Sequence, residues 1–177
     1  MFSNEEISSI LRNWTVGEIG SIASSVVILF NFLAEHIELQ KKLSSEPQMI
    51  LRAIDEILRI HGPLVTSRRI TTYPVEIGGR KIDTGERISL NWISANRDGE
   101  VFEEPEVFRL DRDPNKNLLY GKGIHVCPGA PLARMEMRVV LEEILTHTKL
   151  IQFSSAGTPV KAKYPASGFA SVLVKIN

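Results

Sequence analysis

The segment around the only cysteine constrains the fold of this chain more than any other stretch of its 177 residues. From residue 120 to 129 it reads Tyr-Gly-Lys-Gly-Ile-His-Val-Cys-Pro-Gly, so that three glycines surround Cys127. Glycine permits backbone conformations and close approaches that a Cβ atom prevents. A helix is expected from Pro131, and a helix N-terminus lowers the pKa of a nearby thiol and offers free N–H groups to its sulfur. A lone cysteine is often a small buried apolar side chain, but this arrangement indicates a loop that presents a thiolate.

The same loop resembles the haem-binding signature of the cytochrome P-450 family, F-G-x-G-x-H/R-x-C-x-G followed by L-A-R. The chain matches it from Tyr120 to Arg134 at every fixed position except the first, where tyrosine replaces phenylalanine. The resemblance implies that Cys127 is the axial thiolate ligand of a haem b iron, which favours O–O cleavage, and that His125 binds a haem propionate. We also hypothesise that the Tyr120 hydroxyl donates to the thiolate and raises the reduction potential of the iron. The predicted cofactor-binding residues of the loop are Cys127, His125, Tyr120, Gly121 and Gly129.

A second motif lies about seventy residues upstream, where Glu56 and Arg59 stand three apart on one predicted helix face and can pair. It resembles the E-x-x-R motif of the same family, which completes the pair with an arginine in a P-x-R-F segment. Here residues 105–108 read Pro-Glu-Val-Phe, so the expected arginine is missing. Arg109 and Arg112 are the alternatives for the third member of this structural triad, and Arg112 is slightly favoured.

Two further segments support the resemblance. Residues 95–98 read Ala-Asn-Arg-Asp and are similar to the N-R-D segment of the family, which makes the aperiodic stretch 96–123 an ordered region. Arg69 stands at the position that usually binds the second haem propionate, and the guanidinium fork suits a carboxylate. Arg68 precedes it, and one of the two arginines is expected to be a solvated strand residue.

The proton-delivery motif of the family, A/G-G-x-D/E-T in a long kinked helix, falls on Gly17–Ser21. Ser21 replaces the threonine and Gly20 occupies the position of the acid. An acid is present as Glu18, two residues earlier and about 200° away around an α-helix. Three readings stay open: local unwinding lets Glu18 serve with Ser21 as the catalytic pair, proton delivery differs, or Glu18 only caps the helix at Thr15.

The hydrophobic periodicity predicts a mainly α chain with small antiparallel β-sheets. Ser3 with Glu6 forms the pattern of a capping box, repeated by Thr15 with Glu18. A helix over 19–35 is apolar on nearly all sides, and Gly17 and Gly20 permit a kink or local opening there. Further helices are expected over 38–45, from Pro47, and over 131–147. Strands are expected around 75–77, 88–90, 150–153 and 170–175.

The resemblance covers essentially the whole chain, whereas members of the family are usually more than twice as long. It implies one partial domain over 1–177, the C-terminal haem-binding part of the cytochrome P-450 fold, running from the long oxygen-activating helix to the end. The preceding half is then a possible partner, and apolar faces that it normally covers should be exposed.

Bulk properties exclude several classes of protein. Lys plus Arg and Asp plus Glu number 21 each, so the net charge of zero argues against nucleic-acid binding. The longest apolar run, 26–33, is far shorter than the ~20 residues that a bilayer requires, which argues against a membrane protein. The N-terminus lacks the pattern of a secretion signal, and a single cysteine suits the reducing cytoplasm.

The function that the resemblance implies is a haem-thiolate monooxygenase. It would insert one atom of O2 into a small apolar or amphipathic organic substrate, with electrons from a separate ferredoxin- or flavodoxin-type donor. The substrate-facing regions are expected around Ser21, at 63–67 and in a hairpin at 167–169. Two alternatives stay open: a haem-thiolate peroxygenase or reductase, favoured by the altered acid–alcohol pair, and a truncated, non-catalytic haem-binding remnant.

Overall fold

The computed structural model describes residues 2–164 and 166–177, the side chains of residues 16 and 18 excepted. The predicted fold class, mainly helical with small antiparallel sheets, is confirmed. The helices are α1 (Asn4–Thr15), α2 (Ser21–Glu35), α3 (Ile37–Ser45), α4 (Ile50–His61), α5 (Trp92–Ala95) and α6 (Ala130–His147). The strands are β1 (Thr66–Ile70), β2 (Val75–Ile77), β3 (Arg80–Ile82), β4 (Arg87–Asn91), β5 (Ile151–Phe153), β6 (Val160–Lys161), β7 (Phe169–Ser171) and β8 (Val174–Ile176). Single 3₁₀ turns lie at Pro47–Met49, Pro114–Lys116 and Gly123–His125.

A π-helical segment, Val16–Gly20, joins α1 directly to α2. The capping box at the start of α1 is confirmed: the Ser3 N–H donates to Glu6 Oε2 (2.8 Å) and the Glu6 N–H donates to Ser3 Oγ (3.2 Å). A second helix start at Thr15 is wrong, because its hydroxyl donates to the Leu11 carbonyl (2.8 Å) as inside a continuing helix. The predicted local opening is confirmed as the π-helical segment, a feature frequent at functional sites.

The hydrophobic core lies where α2, α4 and α6 pack together. Its fully buried members include Leu29 and Leu33 of α2, Ile54 of α4 and Leu141 of α6. Gln40 of α3 connects that helix to α2 and β5 through buried hydrogen bonds. Its Nε2 donates to the carbonyls of Leu33 and Ile151, and its Oε1 accepts from the Ile151 N–H. In the described part of the chain, no single helix has the length and composition to cross a bilayer; α2 and α3 pass that test only as a pair bent by 106°.

The strands form two-stranded antiparallel ladders, β1–β4, β2–β3, β5–β8 and β6–β7. The expected strands 75–77 and 88–90 do not share a sheet, because the positive φ of Gly78 (57°) and Gly79 (77°) closes a tight hairpin between β2 and β3. The single strand expected over 170–175 is also wrong. It is divided into β7 and β8, which pair with different partners.

Helix α1 has no buried residue, although it is amphipathic. The apolar side chains of Ile7, Ile10, Leu11 and Trp14 are 43–61% exposed, and they lie within one broad face of the helix. The expected exposure of apolar faces is therefore present, and α1 extends from the core as a helix with an uncovered apolar side.

Candidate functional site

A cavity of about 590 Å³ opens between the π-helical segment, the end of α4, the β1–β4 ladder and the cysteine loop. Its volume lies within the range of small-molecule and cofactor sites, and its wall is predominantly apolar, as such sites usually are. Trp14 and Trp92 contribute to that wall. The cavity also brings together six residues that the sequence predicted as site residues: Ser21, Arg59, Tyr120, Gly121, Cys127 and Gly129.

The loop before α6 presents the thiol of Cys127 to this cavity. Gly121 (φ 75°) and Gly123 (φ 71°) adopt left-handed conformations that residues with a Cβ rarely take. The Cys127 N–H donates to the Tyr120 carbonyl (2.8 Å) and closes the loop between them. A Cβ at residue 129 would lie 3.8 Å from Cys127 Sγ, so the glycine leaves that side of the sulfur uncovered. The thiol is free and exposed, three residues before the first residue of α6.

Tyr120 lies in the wall with its hydroxyl buried. That hydroxyl has no hydrogen-bond partner among the described residues, so the hypothesised hydrogen bond to the Cys127 sulfur is not formed. Burial is the main cause that raises the pKa of Tyr120 to about 12, and the negative charge of Asp55 adds to it. The nearby positive charge of Arg134 acts in the opposite direction. The Arg134 guanidinium lies 4.5 Å from the centre of the Tyr120 ring, and its Nε donates to Asp55 Oδ1 (3.0 Å). A cation–π contact held by an ion pair therefore fixes the ring.

We expect Tyr120 to titrate near pH 12 in a pH titration of phenolate absorbance, later than Tyr164, whose pKa is lowered by its hydrogen bond with Thr66. Because the pKa of Tyr120 is raised above the ordinary value of 10.0, the part of the folding stability that is linked to its ionisation is fully present below pH 10 and is lost as the pH rises through about 12. In Tyr120→Phe the late phase should disappear and the free energy of unfolding should rise by up to about 1 kcal/mol, because an unpaired buried hydroxyl is removed. Tyr73→Phe, at a side chain 67% exposed, is the control. Loss of stability in Tyr120→Phe would instead show that the hydroxyl has a partner.

The ion cluster of Glu56 lies at the cavity wall, to which Arg59 contributes. Arg59 donates to both carboxylate oxygens, from Nε (2.8 Å) and from Nη2 (2.9 Å). The third cation is Arg112, whose Nε donates to Glu56 Oε1 (3.0 Å). The Arg109 side chain pairs with Asp111 and Glu103 instead, and only its backbone N–H donates to Glu56. Arg112, which the sequence slightly favoured over Arg109 as the third member of the triad, therefore makes the side-chain contact to Glu56.

Ser21 begins α2 at the edge of the π-helical segment and lies in the cavity wall. Its hydroxyl donates to the Gly17 carbonyl. One turn later the buried Ser25, also in the wall, donates to the Ser21 carbonyl (2.8 Å). The side chain of Glu18, the predicted acid, lies outside the described residues, so its role in proton delivery stays a prediction.

Two predicted cofactor-binding residues are not in the cavity wall. His125 is exposed in the 3₁₀ turn before Cys127. Arg69 follows Ser67, which is in the wall, by two residues and so shares its face of β1. Arg69 Nη1 donates to the Arg68 carbonyl (2.8 Å), and the residue borders a separate shallow depression next to Ile88. The propionate-binding roles of His125 and Arg69 stay predictions.

The regions expected to face a substrate are only partly in the wall. Pro63, Leu64 and Ser67 are, but the hairpin at 167–169 is not. The hairpin packs on α2: a Cβ at Gly168 would lie 2.5 Å from Ile28 Cγ1, which leaves no space between them. Its substrate-facing role stays a prediction.

Several wall residues had no role assigned from the sequence. Trp92 closes one side, with its Nε1 donating to Ser67 Oγ (2.8 Å). Asn96 is buried beside it and contacts the cysteine loop. Asn96 is the first residue of the N-R-D motif and Trp92 lies four residues before it, so the motif was a usable signal for this region. Trp14 stands seven residues before Ser21, on the same side of one long helix, and that spacing also could have indicated it.

The comparisons with known proteins identify the class to which this fold and site belong. The family model described as Cytochrome P-450 matches residues 1–170 of the chain. The chain therefore belongs to the cytochrome P-450 family, and it is a partial segment of the P-450 fold. Members of this family are haem-containing oxidoreductases of the monooxygenase type.

The individual relatives agree with this class. A beta-dihydromenaquinone-9 omega-hydroxylase of Mycobacterium tuberculosis is 39% identical over 132 residues, which are 75% of this chain and 27% of that protein. CYP109E1 of Bacillus megaterium, solved in complex with testosterone, superposes with a TM-score of 0.93 at 29% identity over 100% of this chain and 49% of that one. CYP109B1 of Bacillus subtilis gives a TM-score of 0.89 at 30% identity, over 98% of this chain and 47% of that one. The chain thus spans about half the length of its solved relatives.

Proposed function

We propose that this chain forms the thiolate-ligating part of a cytoplasmic haem monooxygenase. The whole protein inserts one atom of O2 into a small apolar or amphipathic organic molecule, with electrons from a separate ferredoxin- or flavodoxin-type donor. The observation that carries the proposal is the position of Cys127, whose thiol lies in the wall of an apolar cavity that also contains Ser21. An apolar wall supports an apolar or amphipathic substrate, because few of the wall groups can pair with a charged substrate.

The residues of the cavity fit haem b. Cys127 is the proposed axial ligand, Gly129 keeps a side chain away from the sulfur, and Gly121 allows the tight backbone of the loop, where a Cβ would lie 3.3 Å from the His125 carbonyl oxygen. His125 and Arg69 are the proposed partners of the two propionates, since an imidazole N–H and a guanidinium fork can both donate hydrogen bonds to carboxylates. When bound, haem supplies the thiolate-ligated iron whose electron-rich character favours O–O cleavage.

Ser21 is the proposed hydroxyl for proton delivery, with Glu18 as the acid that supplies it. In the structure the Ser21 proton is held on the Gly17 carbonyl, so delivery requires rotation of the Ser21 side chain toward the cavity. The π-helical segment supports this role, since widening of a helix frees backbone groups that a hydroxyl then pairs with.

The ferrous–carbon monoxide spectrum of the chain reconstituted with haem tests the proposal. A strongly red-shifted Soret band is expected for the wild type and should be absent in Cys127→Ser, because a serine hydroxyl does not replace a thiolate donor. Val126→Ala, at the exposed neighbouring position, should keep the band. An equal band in the Cys127→Ser variant would show that the ligand assignment is wrong.

A peroxygenase is the second candidate, because Gly20 replaces the acid that normally assists O2 activation. Turnover driven by peroxide without any electron donor, together with failure to turn over O2, would favour it. A non-catalytic remnant is the third, supported by the uncovered apolar face of α1. Retention of the thiolate band without turnover in the completed fold would favour that reading.

A further inference from the structure

Asn96 connects the Glu56 ion cluster to the segment that leads into the cysteine loop. It follows α5, is 2% exposed and lies in the cavity wall. Its backbone carbonyl accepts a hydrogen bond from Arg59 Nη1 (2.5 Å), and its side-chain Oδ1 accepts one from the Leu118 N–H (2.8 Å). One residue thus contacts both the Glu56 ion cluster and the segment that leads into the cysteine loop.

The contact at Leu118 lies at the start of that loop. The Leu118 carbonyl accepts from the Gly121 N–H (2.9 Å), which forms the turn where the loop begins. The next hydrogen bond, from the Cys127 N–H to the Tyr120 carbonyl (2.8 Å), fixes the cysteine itself. Asn96 is therefore connected to the Cys127 thiol through its own contact at Leu118 and through these two backbone hydrogen bonds of the loop.

We propose that Asn96 is a positioning residue for the Cys127 thiol. Its amide oxygen holds the Leu118 N–H, and the buried Arg59 holds the backbone of Asn96 in turn, so the loop is anchored to the interior of the protein. Arg59 is itself fixed by Glu56 and by the ring of Phe102, 4.8 Å from its guanidinium carbon. The inference deepens the proposed function, on which it rests for the identity of the thiolate ligand, but the anchoring of the loop stands independently of any cofactor.

An alternative role, capping of α5, does not require the side chain of Asn96. The cap is made by its backbone, since the Asn96 N–H donates to the Trp92 carbonyl (2.9 Å). Substitution of the side chain leaves that hydrogen bond in place and removes only the acceptor at Leu118. The effects of Asn96 variants therefore report on the loop.

Amide hydrogen exchange at Leu118 and Cys127 tests the proposal in the cofactor-free chain. In Asn96→Ala the exchange of both amides should be faster, by roughly tenfold at Leu118, because the loss of one acceptor weakens the closed state by about that factor. Asn96→Asp keeps an acceptor oxygen at the same position and should restore slow exchange. Asn96→Ser, whose hydroxyl is one atom shorter, should give intermediate rates and keeps the test available if the alanine variant does not fold.

Asn91→Ala is the matched control, because Asn91 caps the other end of α5 by accepting from the Ser94 N–H (3.1 Å) and has no contact with Leu118. It should leave both amides unchanged. Faster exchange at Leu118 with unchanged exchange at Cys127 would overturn the positioning role and leave Asn96 as a local structural residue. If both amides respond but the reconstituted wild type shows no red-shifted band, the proposed function fails while the positioning role stands.

Discussion

Replacing Arg59 with methionine should lower the free energy of unfolding by about 3–5 kcal/mol, because it leaves the Glu56 carboxylate buried without its bidentate partner. The side chains of Glu56 and Arg59 are 6% and 1% exposed. Arg112 and one backbone N–H would remain as donors to the carboxylate, but both contact the same oxygen. Since native domains are stable by only about 5–15 kcal/mol, a loss of this size removes a large part of the total. Chemical denaturation monitored by circular dichroism measures it.

Lys41→Met is a matched control for this substitution. Lys41 also pairs with an acid three residues away on a helix, Glu38, but the two side chains are 67% and 85% exposed. Such a surface pair is worth only about 0–1 kcal/mol, so the control should change stability little. Equal losses of unfolding free energy in the two variants would show that the burial of the Glu56–Arg59 pair is not the reason for its contribution to stability.

A double substitution separates the loss of the pair from the cost of an unpaired charge. Glu56→Leu combined with Arg59→Met leaves no uncompensated carboxylate, so part of the stability lost in Arg59→Met should return. The recovery should be incomplete, because Arg112 then loses its carboxylate partner while keeping its contacts to the carbonyls of Glu104 and Val107. A double variant less stable than Arg59→Met would contradict this account.

Most of the helical fold could be predicted from the sequence, because local signals determine where these helices lie. The capping box at Ser3, the apolar period around Ile54 and the proline near the start of α6 each act within a few residues. The sheets were predicted less well. Strand pairing depends on non-local contacts and on turns such as Gly78–Gly79, so the alternation of Val75 with Ile77 could not indicate which strand lies beside them.

The site was predictable where a motif fixes backbone geometry and less so where side chains meet at a distance. The glycines around Cys127 and the Glu56–Arg59 spacing placed those residues correctly in the wall and the ion cluster. The choice of Arg112 over Arg109 depends on the path of an irregular segment, and this segment has no hydrophobic periodicity from which its path could be predicted. The roles of Asn96 and Trp92 depend on neighbours 22 and 25 residues away in the chain, so the N-R-D motif could indicate the region but not these contacts.

Supplying the rest of the P-450 fold should tighten haem binding to this chain by at least about tenfold. The chain covers 49% of CYP109E1, and the cavity wall includes Ile10 and Trp14 of α1, a helix with no buried residue. Covering the apolar face of α1 is favourable by about 25 cal/mol for each Å² removed from water. Burial of even about 100 Å² therefore stabilises the assembled pocket, and with it the bound haem, by a free energy equivalent to more than tenfold in affinity. The measurement is a haem titration of the chain with and without the unmatched part of CYP109E1, added as a separate polypeptide.

Two variants of α1 show whether its apolar face is responsible. Leu11→Glu introduces a charge at a position 61% exposed on that face, and it should weaken the enhancement strongly. Ser9→Glu introduces the same side chain at an exposed position on the opposite side of α1 and should preserve the enhancement. Equal haem affinity with and without the added polypeptide would mean that the described residues already hold the cofactor alone. Equal effects of the two glutamates would mean that the added polypeptide docks elsewhere, since then the side of α1 that carries the charge makes no difference.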